Sequence, residues 1–246
     1  KKVGKSAFYN CSSLDTFVAD NLETVGINAF RFCNSLKTLS FPNLKKIDNY
    51  GFMNCSSLTS IEIPNVEFIG SNAFYFDFSL KNLNVPKCVH VGTESFRETG
   101  LTSIALSDGL YYPGEGAFYN ATSLSGSLTF KNLTILRSST FQNCFSLTTV
   151  SAPKVTQIGD QCFYGCKSLT TIDIPIATTI GYDAFSNSGI KSISSQKIEE
   201  IKGFSFYKSD ISKFEAPQLS SLGRHSFVNC SNLSDISIPN SVYSLR

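Results

Sequence analysis

Leu58-Thr59-Ser60-Ile61-Glu62-Ile63-Pro64 is followed, after four intervening residues, by Ile69-Gly70-Ser71-Asn72-Ala73-Phe74. In the first stretch, Ile61 and Ile63 alternate with Glu62. That period of two points the aliphatics to one face and the acid to the other, as in a short strand with one buried side. Pro64 stops it, because proline cannot donate to a ladder. The second stretch predicts a tight turn at Gly70. One or two helical turns are expected to follow, with Ala, Phe and the residue three after the Phe facing inward.

Moving outward from this stretch, the same wording returns along the whole chain. A Phe stands at 8, 30, 52, 74, 96, 118, 141, 163, 185, 206 and 227, in steps of 21 to 23 residues. Five residues before it comes an aliphatic such as Val25, Ile47 or Ile158, replaced once by Pro113. The next position is usually Gly, and three residues after the Phe stand Cys11, Cys33, Cys55, Cys144, Cys166 and Cys230. Pro42, Pro64, Pro86, Pro153, Pro175, Pro217 and Pro239 close the strands. One repeat of about 22 residues cannot bury these apolar positions alone, whereas stacked repeats cover one another and turn each column into an internal ladder.

The pattern of Ile69-Gly70-Ser71-Asn72-Ala73-Phe74, Asn54-Cys55-Ser56-Ser57-Leu58 and Leu169-Thr170-Thr171-Ile172-Asp173-Ile174-Pro175 resembles the BspA-like class of leucine-rich repeat, and the resemblance covers essentially all 246 residues. The expected fold is therefore an α/β repeat solenoid: a right-handed leucine-rich-repeat coil of about eleven repeats, with short strands, short helical turns and, by the resemblance, a parallel sheet on a concave side. It is expected to form one domain, 1–246, belonging to a longer chain, since both ends stop inside the pattern and Ser241–Arg246 opens a twelfth turn. The resemblance also implies a cell-surface or secreted protein that binds host or microbial surface molecules.

Irregularities are informative. Thr99-Gly100-Leu101, Ser188-Gly189-Ile190 and Ser209-Asp210-Ile211 each lack one residue before the Leu column, which predicts tightened turns. Ser125-Gly126-Ser127 adds one, which predicts a bulge. The least regular stretch, Leu106 to Pro113, reads as a kink in the stack.

Composition narrows the function. With 21 basic and 19 acidic residues the net charge is +2, without the basic patch of a nucleic-acid or anionic-membrane binder. No apolar stretch approaches membrane-spanning length. The two histidines, His90 and His225, are separated by about six turns, so Ser-His-Asp or His-based zinc chemistry has little support. Cys88 with His90, and Cys162 with Cys166, could each supply two ligands but have no matching second pair. No enzyme, cofactor or metal is expected. Six of eight cysteines share one repeat column, which favours buried, reduced thiols over disulfides. The Asn-x-Ser/Thr triplets at Asn10, Asn54, Asn120 and Asn229 read as by-products of the repeat.

What remains is surface. The outward strand positions form a column in which eight of eleven residues are hydroxyls, from Thr16 to Asp235, beside a more varied second column. Candidate ligand-binding residues on this expected concave face are Thr38, Ser60, Glu62, Lys81, Asn82, Asn84, Thr149, Thr171, Asp173, Lys191, Lys213 and Glu215. Their plainer reading is that Ser and Thr tolerate exposed strand positions. A second candidate is an aromatic stripe just after the columnar Phe: Tyr9, Tyr75, Tyr119, Tyr164 and Tyr207. Aromatic tips with polar ends suit recognition, although packing against neighbouring turns accounts for them equally. The functional expectation is a non-enzymatic adhesion module for a protein ligand. Glycan binding and a structural spacer are the alternatives.

Overall fold

In a computed structural model, described for residues 1–240 and 242, the chain divides into two compact units, 1–124 and 125–246. The expected entry to a twelfth turn lies mostly outside the described residues.

The first unit carries β1 (Lys2–Val3), β2 (Thr24–Val25), β3 (Thr38–Ser40), β4 (Lys46–Ile47), β5 (Ser60–Glu62), β6 (Phe68–Ile69), β7 (Asn82–Val85), β8 (His90–Val91), β9 (Ser103–Leu106) and β10 (Tyr112–Pro113). The expected Ile-x-Ile strands are present as the pairs β3-β5 and β7-β9, parallel and in register, Leu39 opposite Ile61 and Leu83 opposite Ile104. A second parallel sheet, β1-β2-β4-β6-β8-β10, is built from two-residue strands ending at the aliphatic column. Its register runs through Tyr112–Pro113, which face His90–Val91, so the Leu106–Pro113 stretch does not interrupt the ladder.

The second unit repeats the plan with β11 (Gly126–Thr129), β12 (Ile135–Leu136), β13 (Leu147–Ser151), β14 (Gln157–Ile158), β15 (Thr171–Asp173), β16 (Thr179–Ile180), β17 (Ser192–Ser194), β18 (Glu200–Ile201), β19 (Lys213–Glu215), β20 (Ser221–Leu222) and β21 (Asp235–Ser237). These form the parallel sheets β11-β13-β15, β17-β19-β21 and β12-β14-β16-β18-β20. The expected bulge is there: the register shifts between Gly126 and Ser127, with Gly126 at φ +78°.

The expected short helical turns are absent; no helix occurs among the described residues. The cause is local. In every repeat the residue two before the Phe and the residue two after it are left-handed, as Asn28 (φ 55°) and Phe32 (φ 65°) are around Phe30. A left-handed residue every fourth position prevents α-helical bonding, and the segment becomes a run of β-turns with positive φ at their third residue, as type II turns require. Ala29 N donates to Gly26 O at 3.1 Å and Cys33 N to Phe30 O at 3.1 Å. The intervening amides of Asn28, Phe30 and Phe32 donate to Asn49 O, Gly51 O and Met53 O of the next repeat. Alternate amides thus bond within a turn and between turns, which accounts for the buried backbone without a helix.

The core is the columns themselves. Phe8, Phe30, Phe52, Phe74, Phe96 and Phe118 stack in sequence in the first unit at centroid separations of 5.1–5.5 Å. Phe141, Phe163, Phe185, Phe206 and Phe227 do the same in the second, at 5.1–5.5 Å. Each buried ring contributes about 1.5–3 kcal/mol from area alone. The cysteine column has a polar task as well: Cys33 Sγ donates to Phe8 O at 3.0 Å, Cys55 to Phe30 O at 3.1 Å, Cys166 to Phe141 O at 3.0 Å and Cys230 to Phe206 O at 2.8 Å. All eight cysteines are free thiols.

Turn length explains two glycines. A Cβ at Gly100 would lie 1.9 Å from Phe78 O, and one at Gly189 would lie 2.1 Å from Lys167 O, so the tightened turns have room only for hydrogen there. Asp210 can occupy the same place in the third tightened turn because the repeat before it is already shortened, and its amide reaches Ser188 O at 3.0 Å.

Candidate functional site

Period-two alternation sets the outward face of the first unit. Leu39, Ile61, Leu83 and Ile104 point into the core, which turns Thr38, Ser60, Asn82 and Ser103 out in one column and Ser40, Glu62, Asn84 and Ala105 in the next. These residues floor an open groove of about 860 Å³. Phe17, Val18, Ile63 and Pro64 also line it, and Val18 is 82% exposed. The charged residues in its lining are both acidic, Asp20 and Glu62.

The polar floor is tied together from strand to strand. Ser40 Oγ donates to Glu62 Oε2 at 3.0 Å and Ser103 Oγ to Asn82 Oδ1 at 2.7 Å. Glu62 and Asn82 are thereby held in place while staying exposed, which leaves oriented acceptors facing the groove. Lys81 is exposed just before β7 and is not part of the lining; its carbonyl accepts from Thr102.

Of the sequence-selected face residues, the structure gathers Thr38, Ser60, Glu62, Asn82 and Asn84 into this groove. In the second unit, Thr149 pairs with Thr171 across β13 and β15, and Ser151 Oγ donates to Asp173 Oδ2 at 2.8 Å. Lys213 and Glu215 lie on β19 of the other strand set, with Lys213 3.4 Å from Asp235. Lys191 precedes β17 and meets Asp210 at 3.0 Å. These ion pairs are half exposed or more and screened by water, so they orient side chains more than they stabilise the fold.

The tyrosine stripe is not one continuous platform. Arg97 lies over Tyr75 at 5.1 Å and over Tyr119 at 4.6 Å, and it is paired with Glu94 and Glu98. Burial raises the Tyr75 hydroxyl above its usual range, with Arg97 opposing. Tyr9 meets Phe32 edge-on at 5.8 Å, Tyr207 meets Phe204 at 5.9 Å, and Tyr164 is half-buried.

One aromatic feature went unread in the sequence. On the outward side of the second sheet, Phe68, His90 and Tyr112 stack in parallel at 4.3 and 4.8 Å, and Lys46 sits over Phe68 at 5.1 Å. The signal was the residue just before each aliphatic, which reads Lys46, Phe68, His90, Tyr112 at the repeat spacing. Burial lowers the His90 imidazole below its usual value. Among the described residues, no group of three or more His, Cys, Asp or Glu could hold a metal ion, and Cys88 Sγ donates to the His90 carbonyl instead. Nor is any helix there long and apolar enough to cross a membrane.

Comparison with solved structures finds the same fold. A leucine-rich repeat protein from Bacteroides ovatus matches with TM-score 0.75 and 22% identity over 90% of this chain, which spans 65% of that protein. The pneumococcal vaccine antigen PcpA matches with TM-score 0.65 and 20% identity over 100% of this chain and 68% of its own. A leucine rich cell surface protein from Faecalibacterium prausnitzii matches with TM-score 0.50 and 21% identity, covering 96% of this chain and 82% of that one. No curated protein matches the sequence. The model of the BspA type leucine rich repeat region matches in six copies over residues 1–125, 89–202 and 156–246. With columns, stacked turns and family model in agreement along its length, the chain belongs to the BspA-type leucine-rich repeat family.

Proposed function

We propose that the protein is a non-enzymatic cell-surface recognition module, part of a longer chain, which binds a protein ligand across the strand face of residues 1–124. The observation that carries this reading is the groove. A floor of Thr38, Ser60, Asn82 and Ser103 lies beside an apolar margin of Phe17, Val18, Ile63 and Pro64, combining hydrogen bonding with dry contact as protein interfaces do. Asp20 and Glu62 favour a ligand that brings a basic or neutral segment. Family membership supports an interaction role, and a surface location draws on the Faecalibacterium protein being described as a cell surface protein. Glycan binding through the tyrosine stripe is less favoured, because Arg97 already occupies ring faces of Tyr75 and Tyr119.

The test is binding of the purified chain to an array of host and bacterial surface proteins, followed by biolayer interferometry on each hit. Ser60→Arg with Asn82→Arg places two long cations on the groove floor and is expected to weaken binding at least tenfold. Lys154→Ala, at an exposed position in the second unit, serves as the control. Equal binding by the groove variant, or selective binding to a glycan array, would reject the reading.

A further inference from the structure

Asp77 stands in the cysteine column, three residues after Phe74, where the two preceding repeats have Cys33 and Cys55 and the following one has Thr99. Its side chain is fully buried. Oδ1 accepts a hydrogen bond from Cys55 N at 2.7 Å, while Oδ2 is buried without a hydrogen-bond partner. A carboxylate oxygen left so is costly, and among the described residues no ion pair is formed to it. The column shows what the position asks for. Cys33, Cys55 and Cys166 each donate from Sγ to the carbonyl 25 residues earlier, and the equivalent acceptor for Asp77 is Phe52 O. A thiol is a donor there; a carboxyl is a donor only when protonated.

We propose that Asp77 is a proton-dependent lock in the first unit: the protonated carboxyl substitutes for a column cysteine, donating from Oδ2 toward Phe52 O, and its ionisation releases the turn that carries Tyr75, Phe76 and Phe78. The groups packed around it offer no compensation. From the preceding repeat comes the Cys55 thiol, whose proton burial holds well above the usual thiol range, with an ionised Asp77 adding to the effect only second. From the following repeat comes Thr99, whose hydroxyl is committed to Phe96 O at 2.9 Å. Glu94, Arg97 and Glu98 of that repeat are engaged with one another around Tyr75. Lys81, on its own repeat, is exposed. Burial pushes the Asp77 carboxyl well above the usual carboxylate range, against the lowering effect of the Cys55 amide. The released segment includes Phe78, already 52% exposed, and Phe76, held at φ 66°. On ionisation the O–H bond breaks heterolytically and the proton passes to water.

The direction of the pH effect follows from linkage. The native state keeps a proton that the unfolded chain gives up near pH ~3.9, so the lock acts fully below that value and weakens as pH rises toward the native pKa. Within that window the wild-type folding equilibrium should fall about tenfold per pH unit relative to Asp77→Asn, whose amide can donate at any pH. Asp77→Cys, which restores the column residue, should share the flat profile up to the thiol range. The measurements are chemical denaturation of the three chains across pH 4–8 and the ¹³Cγ shift of Asp77 in labelled wild type, which needs no variant. A neutral-carboxyl shift at pH 6 together with a sloping wild-type difference supports the lock. An ionised shift in the folded chain at pH 6, or a difference that stays flat, overturns it.

Discussion

Phe52 and Phe74, 22 residues apart in sequence, lie with ring centroids 5.5 Å apart and planes 12° from parallel, and neither ring is exposed to solvent. Each touches an identical ring on either side, because Phe30 and Phe96 continue the stack. Replacing Phe52 by Ala removes one link and opens a cavity closed by its neighbours. The expected cost is about 3–5 kcal/mol, the range for large-to-small core changes, read by urea denaturation. Phe52→Leu should cost distinctly less, since most of the volume is kept.

Backbone proximity between turns gives a sharper contrast. A Cβ at Gly92 would fall 2.5 Å from Ser71 N and 2.7 Å from Gly70 C, whereas one at Gly4 meets nothing within 4 Å. Gly92→Ala should therefore destabilise the fold by more than about 2 kcal/mol, since backbone must shift to admit it. Gly4→Ala should change the denaturation midpoint by less than the equivalent of ~0.5 kcal/mol.

The left-handed positions can be probed at Ser139, which is half-buried with φ 56°. Asparagine visits this region readily and β-branched residues do so at high cost. Ser139→Asn is expected to stabilise the chain by several tenths of a kcal/mol and Ser139→Val to destabilise it by about 1–2 kcal/mol. Equal thermal midpoints for the two variants would contradict the assigned backbone.

How much of this was legible in the sequence depends on the element. The Phe and Leu columns and the Ile61-Glu62-Ile63 type of strand announce themselves, because burial at fixed spacing and period-two alternation are sequence-level signals. The Gly-x-x-Ala-Phe-x-x-Cys segment misleads, since its inward residues have the spacing of a helix as well as of stacked turns. The deciding clue was the Asn before four of the six column cysteines, at Asn10, Asn54, Asn143 and Asn229: these residues are left-handed, and Asn is the ordinary side chain that takes that conformation most easily. Strands of two residues, such as Phe68–Ile69, are too short to show any period, so the second sheet and its Phe68–His90–Tyr112 stack came only with the structure. Within the candidate site, the outward columns were legible but the groove was not. Val18 heads the second outward column, but its grouping with Phe17, Ile63 and Pro64 along one margin came only with the structure.

Thiol chemistry should follow burial. Cys11 is exposed and Cys230 half-exposed, while the other six cysteines are buried. Burial pushes Cys33 up to about 11, and Cys88 and Cys166 up to about 12. Titration of the native chain with an aromatic disulfide reagent at pH 8 is expected to show one fast thiol, one slower, and six that react only on unfolding. Because the folded chain holds these protons more tightly than the unfolded one, stability should be retained below the ordinary thiol value near ~8.5 and decline as pH rises toward 12. A Cys88→Ala chain should show a shallower alkaline decline.

The amides of Asn28, Phe30 and Phe32 each reach the next repeat at the same offset of 21 residues, and nothing in those bonds depends on side-chain identity. A gene carrying such a protein can therefore gain or lose a whole coil by unequal recombination without needing a new partner for any amide. Length becomes an inherited variable independent of fold, and a lineage could adjust the reach of its surface simply by counting coils.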